Sequence, residues 1–243
     1  MINPSVFDRV GVVLFFLGDF HRKTALALLD VPDVSWVTLK LNGQMIIGLW
    51  TRNKEDSTDC IKNILGIKPA EQIFMPYRKS PPLSITDLSI MDALIDEPRS
   101  SIGELIKSTD LSPKTVRKHL NQLLETKTIS IVPLLGAFAD SGEVIYPLVI
   151  IGRVNMSEVR KILGEAALLR SIQDPPMKYV LCKAHSLAGV TAKIRALENV
   201  EDLKSATLSL NREILISTNL RHSLIREKIE KFEKEKLRLK QAM

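Results

Sequence analysis

The sequence predicts an α+β chain in which a helix-turn-helix with a β-hairpin wing sits between two sheet-and-helix units, with a charged helix closing the C-terminus. Three observations predict it. Val10 to Tyr77 runs in the order βαββαβ, residues 84 to 126 carry three short helical stripes separated by caps and breakers, and Leu220 to Gln241 is a charged helical pattern with one apolar stripe. Composition agrees, because 243 residues with 45% hydrophobic and 26% charged side chains can build two or three cores. It excludes a disordered, collagenous or disulfide-scaffold chain.

The first unit occupies residues 1–78. Its opening apolar run, Val10 to Leu17, is far shorter than the roughly 20 residues that cross a bilayer, and no basic leader precedes it, so it reads as a buried strand. A helix around His21 to Leu29 follows, then strands Trp36 to Leu41 and Met45 to Trp50, a helix around Ser57 to Leu65 and a strand Gln72 to Met75. Asn42-Gly43 marks a hairpin, since both residues tolerate the positive φ of a two-residue turn. This is the order of a ferredoxin-like sandwich. The alternation over Asp33 to Leu41 implies one sheet face under the helices and one that is exposed or meets a partner.

Residues 79–83, with Pro81-Pro82, read as a linker to the head at 84–142. Leu88, Met91, Leu94 and Ile95 form the first helical stripe, which stops near Pro98. Ser101-Ile102-Gly103-Glu104 is a capping box that opens a second helix with Ile102, Leu105 and Ile106 inside. After Leu111, Ser112 supplies an N-cap and Pro113 the first helical position of a third helix, 112–126. Its Val116, Leu120, Leu123 and Leu124 face inward, which puts Lys114, Arg117, Lys118 and Asn121 on the opposite face. Apolar runs Ile129 to Leu135 and Val144 to Ile151, joined through Asp140-Ser141-Gly142, predict the wing.

Residues 143–218 repeat the mixed pattern less regularly: a strand running to Val154, a helix Ser157 to Ser171, a strand Tyr179 to Ala184, a helix Leu187 to Leu197 and a strand Ala206 to Ile216. One strand of a ferredoxin-like set is unaccounted for, so this second unit is expected to be degenerate. In the closing segment, 219–243, Ile225, Ile229, Phe232 and Leu239 form a stripe interrupted by Lys236, as in a docking or dimer helix.

The net charge is +6, but its location matters more. Residues 1–79 carry +2, 80–136 carry −1 and 137–243 carry +5, with +4 of the total inside Arg221 to Lys240. Glu227, Glu230, Glu233 and Glu235 interleave there with the basic residues, as in a salt-bridged exposed helix. Net charge alone therefore says little about nucleic acid. Position says more: a helix entering the major groove needs long donors near its N-terminal end and a rigid neighbour that seats it on phosphates. Arg117 can be bidentate to guanine and Asn121 to adenine, with Lys114 and Lys118 as phosphate contacts. Ser112 and Thr115 open the same helix, and Ser100, Ser101 and Lys107 can add backbone contacts from the second. His119 reads as an edge residue of that helix and not as a base reader.

These residues carry a resemblance. Leu83-Ser84-Ile85-Thr86-Asp87, Asp96-Glu97-Pro98-Arg99-Ser100-Ser101 and Leu111-Ser112-Pro113-Lys114-Thr115-Val116-Arg117 resemble the winged helix-turn-helix of the leucine-responsive/AsnC family of prokaryotic transcriptional regulators, archaeal members above all. Ala27 to Val34 and Asn42-Gly43 are similar to that family's amino-acid-sensing βαββαβ domain, so the resemblance covers most of residues 6–153. It implies a sequence-specific regulator of double-stranded DNA, a homodimer or higher even oligomer joined through its α+β units, and an effector of unassigned identity. The order departs from the family's, because a sensor-like unit here precedes the head and another follows it. Where the family's hairpin continues Gly-x-Tyr-Asp, this chain has Gly43-Gln44-Met45-Ile46, so amino-acid binding is not carried over.

Catalytic patterns are missing: no Gly-rich phosphate loop, C-x-x-C, H-E-x-x-H or G-x-S-x-G occurs, and His21, His119, His185 and His222 share no metal-ligand spacing. No cofactor and no enzymatic activity are expected. An alternative is an assembly module that uses the same domains for protein contacts. A further one is a siroheme-decarboxylase-like enzyme, a class with the same build, for which only His185 with Lys183 hints at the needed clustering. Cys60 and Cys182, each in an apolar pattern, read as reduced core thiols, which places the chain in the cytoplasm and off the membrane.

Overall fold

The computed structural model describes residues 2–75, 79–130, 143–164, 166–173 and 176–241. A 3-10 turn, Pro4–Phe7, leads into β1 (Val10–Phe16), α1 (Arg22–Leu28), β2 (Val34–Lys40), β3 (Met45–Thr51), α2 (Lys54–Leu65) and β4 (Glu71–Met75), the βαββαβ order the periodicity predicts. Val12, Leu14, Phe16, Val37, Leu39, Met45, Ile47 and Leu49 turn one face of the sheet onto Ala25, Leu28 and Ile61 of the two helices. The alternate residues point to the other face. The hairpin between β2 and β3 differs from expectation in one detail. Only Gly43 takes positive φ, at +82°, while Asn42 keeps an ordinary φ and its side chain accepts from the Gln44 N–H at 3.3 Å. Lys40 N–H closes the loop on Gln44 O at 2.8 Å, so it has three residues instead of two.

The second unit is complete. It contains β5 (Val144–Gly152), α6 (Met156–Leu163), β6 (Ala166–Gln173), β7 (Pro176–Ala184), α7 (Leu187–Leu197) and β8 (Leu203–Leu208), in sheet order β6-β7-β5-β8. The first unit has the same order, β2-β3-β1-β4, so the degenerate sandwich expected here is instead a second full one. The missing strand was hidden in the predicted helix Ser157 to Ser171. That helix ends at Leu163, where Gly164 adopts φ +74° with its N–H on Arg160 O at 2.8 Å, and the Ala-Ala-Leu-Leu run beyond pairs with β7. An apolar run of that length has no periodicity to separate strand from helix.

The strand expected over Ala206 to Ile216 is likewise two strands. β8 closes the second sheet, and after Ser209-Leu210 the chain crosses to β9 (Asn211–Ile216), which pairs antiparallel with β2 at the edge of the first. The crossing is held on both sides, by Ser209 N–H on Pro147 O at 2.9 Å and Leu41 N–H on Leu210 O at 3.0 Å. Lys40, only 6% exposed, reaches into it and donates to Asn211 Oδ1 at 2.6 Å, to Ser209 O at 3.3 Å and to the Ser209 hydroxyl. Burial without a carboxylate partner pulls its ammonium pKa down to about 8.

The two sheets pack face to face. Val13 and Phe15 of β1, Trp36 of β2, Ile46 of β3, and Ile73 and Met75 of β4 meet Val149 and Ile151 of β5 and Met177 of β7. Trp36 lies across Gly48, where a Cβ would come within 2.1 Å of the indole, so only glycine fits beneath it. The sheet face expected to be open or to meet a partner thus meets the chain's own second unit.

The head consists of α3 (Ile85–Asp96), α4 (Ile102–Thr109) and α5 (Pro113–Glu125). The closing helix α8 (Thr218–Gln241) lies against α3, and Leu224 and Ile225 are buried with Leu88, Ile90, Met91 and Ile95 in a core that also takes in Val6, Phe7 and Trp50. The apolar stripe of the tail therefore docks on its own chain. Ile229 and Phe232 extend it, while the side chains of Lys236 and Leu239 lie outside those described. Of the two cysteines, Cys182 is buried as expected, but Cys60 is exposed on the outer side of α2, so it is a surface thiol. No described helix is long and apolar enough to cross a membrane.

Candidate nucleic-acid interface

Local chemistry builds each helix of the head. Ser84 accepts from Asp87 N–H at 3.2 Å while its own N–H donates to Asp87 Oδ2 at 2.7 Å; Ser101 and Glu104 repeat the box on α4 at 3.3 and 2.6 Å. Ser112 caps α5 by accepting from Thr115 N–H at 3.2 Å, with Pro113 inside the first turn. Between α4 and α5, Asp110 takes φ 55° and returns its N–H to Ile106 O, which turns the chain tightly enough to seat the third helix across the first two.

Val116 and Leu123 are buried beneath α5, and Leu120 joins the same core, which also binds α8. The opposite face holds Lys114, Arg117, Lys118 and Asn121, all exposed. Among the described residues none of the three cations is tied in an ion pair, so their heads are available to a polyanion. Ser112 is exposed and Thr115 half-buried, their hydroxyls 2.9 Å apart, so both complete the cap before they could meet a ligand. Ser101 is engaged in its own box, Ser100 is half-buried with its N–H on Glu97 O at 3.1 Å, and Lys107 is exposed in the last turn of α4. Gln122 completes the exposed face and was missed by the sequence reading. Its spacing of four from Lys118 is the signal that marks it.

His119 has a structural task. Its Nδ1 lies 2.8 Å from Asp87 Oδ1, so the recognition-helix candidate is fastened to the N-terminus of α3. Burial opposes ionisation of Asp87, but bonds from the Ser84 hydroxyl and N–H and from His119 outweigh it and hold the carboxyl below its usual range. A second histidine clamps the back of the head. His222 of α8 places Nδ1 2.7 Å from Asp92 and Nε2 2.9 Å from Asp96, both on α3. Burial disfavours the imidazolium, yet the two carboxylates more than compensate and raise its pKa above the ordinary histidine value.

The head is also tied to the first sheet. Ile2 bridges Ile129 just past α5, and Asn3 N–H donates to Thr128 O at 2.9 Å. From α8, Glu227 accepts from Arg52 and from Lys231, each at 2.9 Å, which draws its pKa to about 2, and Arg221 lies over the Trp50 ring at 5.3 Å. Of the predicted wing, residues 131–142 with the turn at Asp140-Ser141-Gly142 lie outside the described residues, and the run Val144 to Ile151 is not a wing strand but β5, paired on both sides within the second sheet, with β7 and β8.

Residues 83–129 match the family of winged helix-turn-helix DNA-binding domains. The match spans α3, α4 and α5 and ends at the bridge to Ile2. Among solved structures, the chain is similar in fold to the siroheme decarboxylase NirDL, at 11% identity and TM-score 0.51, over 96% of this chain and 82% of that one. That likeness takes in the winged helix-turn-helix together with both α+β units. More partial likenesses are to the transcriptional regulator NMB0573 of Neisseria meningitidis in complex with L-Met (17% identity, TM-score 0.37, 53% of this chain and 88% of that one) and to B. subtilis LrpC (18%, 0.36, 53% and 94%). No curated protein matches the chain.

For the enzyme alternative, His185 is almost fully exposed and lies with Lys183 beside Glu143, at 3.9 and 3.7 Å. Neither histidine nor arginine lines the described groove of about 380 Å³ between α7 and β8, which is formed by Ile194, Glu198, Leu203, Lys204, Ser205 and Ala206. Among the described residues no histidine, cysteine and carboxylate cluster is arranged to hold a metal ion.

Proposed function

We propose that this protein is a cytoplasmic, sequence-specific DNA-binding transcriptional regulator whose α5 enters the major groove. One observation carries the reading: Lys114, Arg117, Lys118 and Asn121 form a single exposed face on a helix whose buried side is fastened to α3 by His119 and Asp87. A rigid helix with free donors is what base reading requires. Arg117 and Asn121 read base edges, Lys114, Lys118 and Lys107 hold phosphates, and Ser100, Ser101, Ser112 and Thr115 present the helix N-termini to the backbone. The division into 1–78, linker 79–83, head 84–142, second unit 143–218 and closing helix 219–243 belongs to the same proposal, with β9 lent to the first sheet. The homodimer implied by the resemblance is left out of this proposal, because the sheet faces of the two units cover each other.

Fluorescence-anisotropy titration against pooled genomic duplexes at several salt concentrations tests this, with an Arg117→Ala, Lys118→Ala double variant beside the native chain. Selective, salt-dependent binding that the double variant loses supports the reading. Equal binding by both proteins overturns the groove assignment and leaves the exposed charges of α8, or an assembly role, in its place. Deleting α8 is no control, because Leu224 and Ile225 belong to the core; neutralising Lys231 and Lys234 is the usable one.

A second reading, a siroheme-decarboxylase-like enzyme, is favoured by the fold likeness over 96% of the chain. Incubating the purified protein with siroheme and weighing the recovered tetrapyrrole by mass spectrometry decides it: a tetrapyrrole that has lost no carbon dioxide removes this reading.

A further inference from the structure

Each α+β unit has one apolar sheet face left over once its helices are in place, and such a face must be covered. In this chain the two faces cover each other, with Val13, Ile73 and Met177 buried at the centre and Trp36 laid over Gly48. The union is also stitched. β9 leaves the second unit and pairs with β2 of the first, and Lys40 locks the two-residue crossing between them. Units joined this closely face each other at an effective concentration on the order of millimolar, about a thousandfold above a second copy at micromolar concentration. A trans partner is outcompeted for that surface.

The second consequence concerns the head. The described residues hold one helix-turn-helix for two α+β units. In dimeric regulators of this kind, two-fold protein symmetry is what makes the DNA site a palindrome, with half-sites about one helical turn apart. We infer that this protein binds DNA as a single copy, on an asymmetric site covered by one head, because the sheet pairing that would relate two heads is made inside one chain. This rests on the regulator reading and deepens it by naming the class of DNA the chain takes. Docking by a lone module buries only roughly 600 to 1,000 Å², so phosphate contacts supply a large share of its affinity and its salt dependence is steep for its size.

The test is selection of duplexes from a random pool with the full chain, followed by light scattering on the free protein and on its complex. The expected result is a free mass near 27.2 kDa, one chain per duplex, and an enriched motif without an inverted repeat; scrambling the sequence on either side of that motif changes affinity less than about twofold. Two chains per duplex on an enriched inverted repeat, with more than tenfold loss when one half is scrambled, would overturn the inference and leave the regulator reading standing. A selection that enriches nothing overturns the regulator reading and this inference with it. A free protein of twice the expected mass, carried onto the duplex as two chains, overturns the single-copy inference.

Discussion

Arg117 and Lys118 sit side by side on α5, yet they should respond differently to substitution. Arg117→Ala should cost about 1 to 3 kcal/mol at a single base position and relax selectivity there, whereas Lys118→Ala should weaken all sequences alike and lower the salt slope by about one. Competition titrations with single-base variants of the selected duplex separate the two. His119 belongs to neither class. His119→Ala leaves Asp87 buried and short of a partner and loosens the seat of α5, so unfolding in urea should show a loss of roughly 1 to 3 kcal/mol. Because the folded-state pKa of Asp87 is depressed, its contribution is present above the unfolded carboxyl value near 3.9 and is lost as pH falls through the lower folded value. The gap between native chain and variant should close on acidification. Sequence spacing placed Lys114, Arg117, Lys118 and Asn121 correctly on one face, because a helical period is a local property. It had no means of finding Asp87 for His119, since 32 residues separate them and only the packing of α5 on α3 brings them to 2.8 Å.

At the scale of elements, α8 shows how an ambiguous pattern is resolved. Its stripe was compatible with docking or with pairing between chains, and the choice fell to α3, whose Ile90 and Met91 turn towards it, and to His222 between Asp92 and Asp96. A neutral imidazole cannot donate from both nitrogens, so both bonds at once require the charged form. The folded-state pKa is raised, and the stabilisation is therefore complete below the unfolded value near 6.5 and fades as pH rises through the raised one. His222→Ala should cost about 1 kcal/mol at pH 6 and close to nothing well above the raised value, read from paired urea titrations. The strand boundaries of the second unit illustrate the reverse difficulty. Ser157 to Ser171 looks like one helix until Gly164 is seen to reverse the backbone, and Ala206 to Ile216 looks like one strand until its halves are found in different sheets.

On the scale of the whole molecule, the face-to-face sheets, the crossing strand and α8 tie the two units and the head into one structure. Gly48 is where this can be probed with one atom. Gly48→Ala puts a methyl into the Trp36 ring and should destabilise the chain by about 1 to 3 kcal/mol, without touching any residue of the head. Thermal unfolding followed by tryptophan fluorescence and by far-ultraviolet circular dichroism should show coincident transitions, lowered together in the variant. Divergence of the two probes would mean that the units melt separately.

By itself the sequence determined the order of the elements in the first unit, the caps of the three head helices and the face α5 presents, because caps, turns and periodicity act over a few residues. Only the tertiary structure decided that the second sandwich is complete, that β9 belongs to the first sheet, that α8 docks inward, and that the second unit covers the face expected to be exposed or to meet a partner. Those outcomes depend on which apolar surfaces find each other across more than a hundred residues. Apolar patterning says that a face must be covered, and carries no record of which surface covers it.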